Sequence, residues 1–304
     1  MTPKGKLIII GGSIDKGSFT ENEFDKPTNL NFFEEGILRR IIKESGKDNP
    51  IVEVLTTASR IPKAVGQEYD KAFKYLGVTQ VNVMNITKRE QANSKDTINR
   101  IKKCDVVMMT GGDQLRLSSI LGGTGFTDTL IERYEDTEIV IAGTSAGAAV
   151  CSNTMIYQGS HSEALLKGEI KITGGFDLIN DVVIDTHFVQ RGRIGRLFQA
   201  VVSNPRLLGI GLGEDTGLLI SKGHFVEAIG SGLVMIVDGR GITDTNITDI
   251  NIGEPISITN LCVHVMSMYD KINLKTRTVS IVRRKRKKTA PISKTEQKVA
   301  QDLD

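Results

Sequence analysis

Along its first half the chain repeats one pattern, a short apolar run followed by a longer amphipathic one. The runs Lys6–Gly11, Ile51–Thr56, Val78–Ile86, Asp105–Thr110 and Glu138–Ala142 show little apolar/polar alternation, which predicts strands buried on both faces. Between them the spacing predicts helices over Asn29–Ser45, Pro62–Leu76, Asn93–Lys103, Gln114–Leu121 and Asp128–Tyr134. In the first of these, Leu30, Phe33, Ile37, Leu38, Ile41 and Ile42 fall on one stripe. Buried strands joined by such helices predict an α/β fold, a mostly parallel sheet with helices on both faces and right-handed crossovers.

After residue 150 the pattern changes. The segments GEIKITGGF (168–176), VVIDTHF (182–188), RLLGIGLGE (206–214), GLLISKGHFVEAIG (217–230) and LVMIVDG (233–239) predict closely spaced strands with glycine turns. One hairpin is expected at Lys222-Gly223, and one helix interrupts the strands at Arg191–Val202. The expected architecture is a single α/β domain over residues 1–282, its sheet extended by antiparallel strands toward the C-terminus. Residues 283–304 turn basic and then polar, which predicts a solvated, disordered tail.

Composition alters this picture only at its margins. With 39% hydrophobic and 25% charged residues in 304, the chain is an ordinary globular one, long enough to bury a sizeable core. The net charge is +3, yet Arg283–Lys288 (RRKRKK) alone carries six positive charges, so the remainder is slightly acidic. That run lacks interleaved aromatics and a recognition helix, so nucleic-acid binding is not expected. The three cysteines, Cys104, Cys151 and Cys262, are scattered without CxxC spacing, which argues against a disulfide framework and a zinc site and for a reducing, cytoplasmic setting. The apolar run Leu7–Ile10 is too short for a signal-peptide core, and no stretch reaches the length of a membrane span.

In an open parallel sheet, reactive groups gather outside the carboxyl ends of the strands. Three segments place candidates there. Gly143-Thr144-Ser145-Ala146-Gly147 satisfies G-x-S-x-G between a strand and a helix, where a sharp turn lifts the serine hydroxyl above the sheet. A packing bend is the plainer alternative. In TGGDQLRL a strand ends at Gly111-Gly112, and Asp113 is placed to cap the next helix. The amides of Gly112 and Ala146 could together receive an oxyanion. In VVIDTHFVQRGRIGRL, His187 ends an apolar strand two residues after Asp185 and is the best candidate base. Of the other histidines, His264 lies in an alternating strand, His224 by the hairpin and His161 in a polar loop. Arg191, Arg193 and Arg196 occupy the first turns of a predicted helix, where positive charge opposes the macrodipole unless an anion sits there. Arg193 and Arg196 share a face and could grip carboxylates; an exposed basic face is the alternative. Either Glu214 or Asp215, at the end of a further strand, is placed to orient the histidine.

Taken together, IIIGGSIDKG, TGGDQLRL, GTSAGAAV, DTHFVQRGRIGRL and GIGLGEDTGLL resemble the cyanophycinase family of serine exopeptidases, which also contains the α-aspartyl dipeptidases. The most specific element is the string H-F-x-x-R-x-R-x-x-R-L from His187 to Leu197. The resemblance implies a fold like that of class I glutamine amidotransferases, with Ser145 as nucleophile, His187 as base and Glu214 as acid. It implies Gly112 in the oxyanion loop and Gln114, Asp185, Arg193 and Arg196 as substrate contacts. It implies hydrolysis of cyanophycin to β-Asp-Arg dipeptides in a homodimer; no metal-ligand cluster is visible in the sequence, so neither metal nor cofactor is expected. A smaller aspartyl peptide is the alternative substrate. The chain departs from the family at Thr186, where glutamine is frequent, and at Gly213, where aspartate is common.

Overall fold

The computed structural model describes residues 2–17, 31–160 and 163–283. Asn29 and Leu30 of the first predicted helix, His161, and the tail from Arg284 onward lie outside the described residues.

Apart from one short unpredicted helix at Arg89–Ala92, the elements follow the predicted order through the first half: β1 (Lys6–Ile10), α1 (Ile37–Glu44), β2 (Ile51–Leu55), α2 (Pro62–Tyr75), β3 (Gln80–Met84), α3 (Arg89–Ala92), α4 (Lys95–Lys103), β4 (Val106–Met109), α5 (Gln114–Leu121), α6 (Gly125–Asp136) and β5 (Val140–Thr144). There follow α7 (Ala146–Ala149), β6 (Ser152–Gly159), β7 (Ile170–Thr173), β8 (Ile179–Thr186), α8 (Ile194–Ser203) and β9 (Leu208–Leu212). The last part is strands broken by one 3-10 turn at Gly239–Gly241: β10 (Thr216–Ser221), β11 (Phe225–Gly230), β12 (Val234–Asp238), β13 (Asp244–Thr245), β14 (Ile258–Thr259), β15 (Cys262–Met266), β16 (Lys271–Asn273) and β17 (Thr278–Ser280).

Nine strands form one sheet in the order β17-β16-β11-β10-β1-β5-β4-β2-β3. From β1 to β3 every pairing is parallel, and the hairpin of β10 and β11 around Lys222-Gly223 extends it antiparallel beside β1. The remaining long strands do not extend this sheet. They form a second one, β15-β12-β9-β8-β6-β7, with β6, β8 and β9 parallel.

The reason lies in what covers each face. On β1, Ile8 and Ile10 face a core shared with Leu38 and Ile41 of α1 and Phe73 of α2. Leu7 and Ile9 face the opposite core, which takes Ile184, Ile210 and Ile236 from the second sheet. The outer face of the second sheet, with Val183 and Val237, packs on Leu197 and Val201 of α8. A strand buried by helices on one side and a sheet on the other carries the same unbroken apolar run as one between two helical layers. Periodicity cannot separate the two arrangements.

Two predicted helices are shorter than expected. Residues 31–35 instead fold as a turn in which the Asn31 carbonyl accepts from the amides of Glu34, Glu35 and Gly36, and α1 starts only after the extended Gly36. Phe33, placed on the apolar stripe, is therefore half-exposed. Arg191 to Arg193 likewise form turns ahead of α8. Among the described residues no helix is long and apolar enough to cross a membrane.

At the far end of β12, Asp238 binds the side chains of Arg240 and Arg277 and ties the C-terminal strands together. Burial disfavours the Asp238 carboxylate, but hydrogen bonds from Arg240 and Arg277 outweigh it and hold its pKa down at about 2. A depressed carboxyl stabilises the fold above its ordinary range, and that contribution disappears as pH falls through the depressed value. Acid titration monitored by circular dichroism is therefore expected to show stability lost between about pH 4 and pH 2. Asp238→Asn should remove on the order of 2 kcal/mol at neutral pH and flatten that acid dependence.

Candidate active site

β5 runs buried into the turn at Ser145, whose backbone is forced to φ 51° and ψ −109°. A non-glycine residue there is strained, and such strain clusters at functional sites. The turn is sharp because Gly143 lacks a side chain: a Cβ there would stand 2.1 Å from the Gly147 carbonyl oxygen. The Ser145 amide donates to the Ile10 carbonyl at 2.8 Å, pinning the elbow to the end of β1.

His187 comes from the second sheet, one residue past β8, and is also held at positive φ (50°). Its amide donates to the Gly11 carbonyl at 2.8 Å. Its ring lies directly over Gly12, where an added Cβ would stand 2.3 Å from Cε1. In this position Nε2 is 3.1 Å from Ser145 Oγ and Nδ1 is 2.7 Å from Glu214 Oε1. Glu214 follows β9, and its amide donates to Gln190 Oε1 at 3.2 Å. The hydrogen bond with His187 holds the Glu214 carboxyl below the usual carboxylate range; partial burial opposes this and a bond from Ser13 assists it. An ionised Glu214 requires the proton on Nδ1, which leaves Nε2 free to accept the serine hydroxyl.

The two acids left open by the sequence are thus separated by geometry. Asp215 turns away, accepting from the Asp15 amide through Oδ1 and from Ser231 Oγ through Oδ2. The other described histidines are remote in role: His224 Nδ1 contacts the Lys222 carbonyl, and His264 Nε2 lies 3.4 Å from Cys262 Sγ.

The Gly111-Gly112 loop passes beside the serine, so that a Cβ on Gly111 would stand 3.9 Å from Ser145 Oγ. Among the described residues the amides of Gly112 and Ala146 find no acceptor. Asp113 caps α5 as expected, accepting from the amides of Leu115 and Arg116. Gln114 is committed at one end, its Nε2 donating to the carbonyls of Ile156 and Tyr157 in β6.

The arginines that oppose the α8 dipole have their anion inside the protein. Asp185, 3% exposed, faces Arg196 Nε at 3.1 Å and Arg193 Nη1 at 3.3 Å. Burial pushes the Asp185 carboxyl up against the pull of both guanidiniums. Arg196 is itself buried, whereas Arg193 is partly open and also donates to the Thr186 carbonyl at 2.8 Å. Sequence reasoning singled out Ser145 and His187, left Glu214 and Asp215 open until the family resemblance favoured Glu214, and missed Gly12 and Gln190, which shape their surroundings. The signal for Gly12 was present as the glycine pair closing the first apolar run.

Residues 32–228 match the model of peptidase family S51. The chain is 34% identical over 276 residues to a cyanophycinase of Trichormus variabilis, covering 91% of this chain and 88% of that one. It is 33% identical over 273 residues to a cyanophycinase of Geminocystis herdmanii, covering 90% and 95%. Its fold is similar to the crystal structure of a peptidase from an acI-B1 Actinobacterium, with a TM-score of 0.60, 18% identity and coverage of 90% and 98%.

Gly12→Ala is expected to displace the His187 ring. The low-field proton resonance of the bond between Nδ1 and Glu214 should then disappear from the NMR spectrum, while the far-ultraviolet dichroism of the fold is retained.

Proposed function

The chain belongs to peptidase family S51 and is a serine-type peptidase; from that premise we propose that it is an exopeptidase releasing β-Asp-Arg dipeptides from cyanophycin through Ser145, His187 and Glu214. Cyanophycin has a polyaspartate backbone with arginine amide-linked to each side-chain carboxylate. The observation that carries the reading is the continuous contact from Ser145 Oγ through the His187 ring to Glu214, at 3.1 and 2.7 Å, with the serine on a strained turn.

In this reading Ser145 Oγ attacks the scissile carbonyl carbon as His187 Nε2 takes its proton. The amides of Gly112 and Ala146 receive the oxyanion of the tetrahedral intermediate, which they can do because neither has another acceptor among the described residues. Collapse expels the amine, which leaves with the proton from Nε2, and an ester remains on Ser145. Water then attacks that ester, again with His187 as base, and frees the second product. Glu214 keeps Nδ1 protonated and stabilises the imidazolium that forms twice per cycle.

The substrate assignment is supported by the cyanophycinases at 33–34% identity over about nine-tenths of the chain. Each unit of the polymer presents one carboxylate and one guanidinium. Arg193, whose side chain is 18% exposed, is the member of the Asp185–Arg196 cluster best placed to meet the carboxylate, with Arg196 and Asp185 fixing it. Gln114 keeps its amide oxygen for a substrate donor while its nitrogen holds β6.

Purified protein incubated with cyanophycin should release β-Asp-Arg, detected by chromatography. Ser145→Ala should abolish release, and Glu214→Gln should lower kcat by about 10⁴-fold, the scale of disabling the acid that orients a catalytic histidine. Equal turnover by Ser145→Ala would overturn the nucleophile. Cleavage of α-aspartyl dipeptides with no turnover of cyanophycin would move the substrate to the smaller peptides.

A further inference from the structure

The carboxyl ends of β2, β3 and β4 open onto a cavity of about 520 Å³ that the reaction above does not use. Ala58 and Arg60 after β2, Asn85 after β3, and Asp113 and Arg116 after β4 line it. β4 pairs directly with β5, which carries Ser145, so the cavity and the serine share one edge of the sheet. The Gly111-Gly112 loop lies between them, with Gly111 beside Ser145 and Gly112 against Ala58. That loop is fastened to the cavity wall, because the Asp113 amide donates to the Ala58 carbonyl at 3.0 Å.

The charges in this cavity are poised rather than spent. Arg60 is exposed and, among the described residues, makes no ion pair or hydrogen bond through its side chain. Arg116 is fixed at its root, Nε donating to the Thr57 carbonyl at 2.8 Å, which leaves both Nη groups without a partner among the described residues. Among the described residues Asp113 is the one carboxylate in the lining, and its Oδ1 is taken up by the two amides at the start of α5. The Asn85 side-chain amide is also unengaged among the described residues. Two guanidiniums, one of them pre-oriented, and a free amide against one committed carboxylate make a receptor for an anion with planar oxygens.

We propose that this cavity is a second substrate subsite, in which Arg60 and Arg116 hold the free carboxylate of a peptide unit neighbouring the scissile bond. The proposal rests on the aspartyl-peptide reading above. A polymer with one carboxylate per unit suits two cationic sites on either side of one serine. The Asp185–Arg193–Arg196 cluster lies on the second sheet and this cavity on the first, so a chain crossing Ser145 meets a guanidinium on each side. The subsite favours a substrate of several units over a single dipeptide.

Two measurements test it. In kinetics on cyanophycin, Arg60→Ala should raise KM by roughly fivefold to tenfold, the size of one partly exposed charge-assisted contact, with kcat held within about twofold. Arg60→Lys should restore part of the affinity, and the difference between Arg60→Ala and the unaltered protein should shrink at high salt. In the second measurement, Ser145→Ala protein is titrated calorimetrically with a segment of three β-Asp-Arg units and, separately, with tri-L-aspartate. Adding Arg60→Ala to that background should weaken the binding of both probes by a similar factor. Unchanged KM, or equal affinity in the titration with and without Arg60, would overturn the subsite. Failure of the unaltered protein to cleave any aspartyl peptide would overturn the function, and the tri-L-aspartate titration would still decide whether the cavity takes carboxylates.

Discussion

The structure depends on how closely the carboxyl edges of two sheets approach one another at Gly11-Gly12. Ser145 belongs to the first sheet, His187 and Glu214 to the second, and no local sequence relation brings them together. Four backbone hydrogen bonds do so. The Gly11 amide reaches the Thr216 carbonyl, its carbonyl takes the His187 amide, the Gly12 carbonyl takes the Asp215 amide, and the Ile10 carbonyl takes the Ser145 amide, all at 2.8 to 2.9 Å. The His187 ring then occupies the space a side chain at Gly12 would need. A larger residue there would force apart the edges on which the whole site is built.

That constraint explains why the site is assembled from strained residues. Ser145 and His187 both sit at positive φ immediately beyond the end of a strand, and Asp215 does so immediately before β10. Conformations of this kind cost on the order of 1–3 kcal/mol each and persist only where surrounding structure over-determines them. Here the flanking strands are buried on both faces, so the cores on either side hold the turns in place. The Asp185 cluster plays a related part on the second sheet. Its carboxylate neutralises Arg196 at the start of α8, which removes the conflict with the helix dipole and leaves Arg193 the more accessible of the pair.

Much of this was legible in the sequence, because apolar runs and glycine turns are local signals. The βα order up to β5, the hairpin at Lys222-Gly223, the capping role of Asp113 and the company of Ser145 and His187 could be read directly. The division into two sheets could not, since Ile184, Ile210 and Ile236 pack against a sheet as they would against helices. The residues themselves left Glu214 and Asp215 open, and only the resemblance favoured Glu214; their side chains diverge because Asp215 is drawn to Asp15 and Ser231. The arginines were read as wanting an anion; that the nearest one is the buried Asp185 is a fact of tertiary packing. Gly12 was not singled out, because its role is to leave room beneath a ring contributed from 175 positions further along the chain.

The central claim is that a histidine from one sheet activates a serine from the other. It is tested most directly by treating the protein with a fluorophosphonate, a reagent that esterifies activated serine hydroxyls, and mapping the adduct by mass spectrometry. The account predicts a single adduct, on Ser145, formed at a rate that collapses in His187→Ala. An adduct on a different serine, or labelling of Ser145 at the same rate without His187, would contradict it.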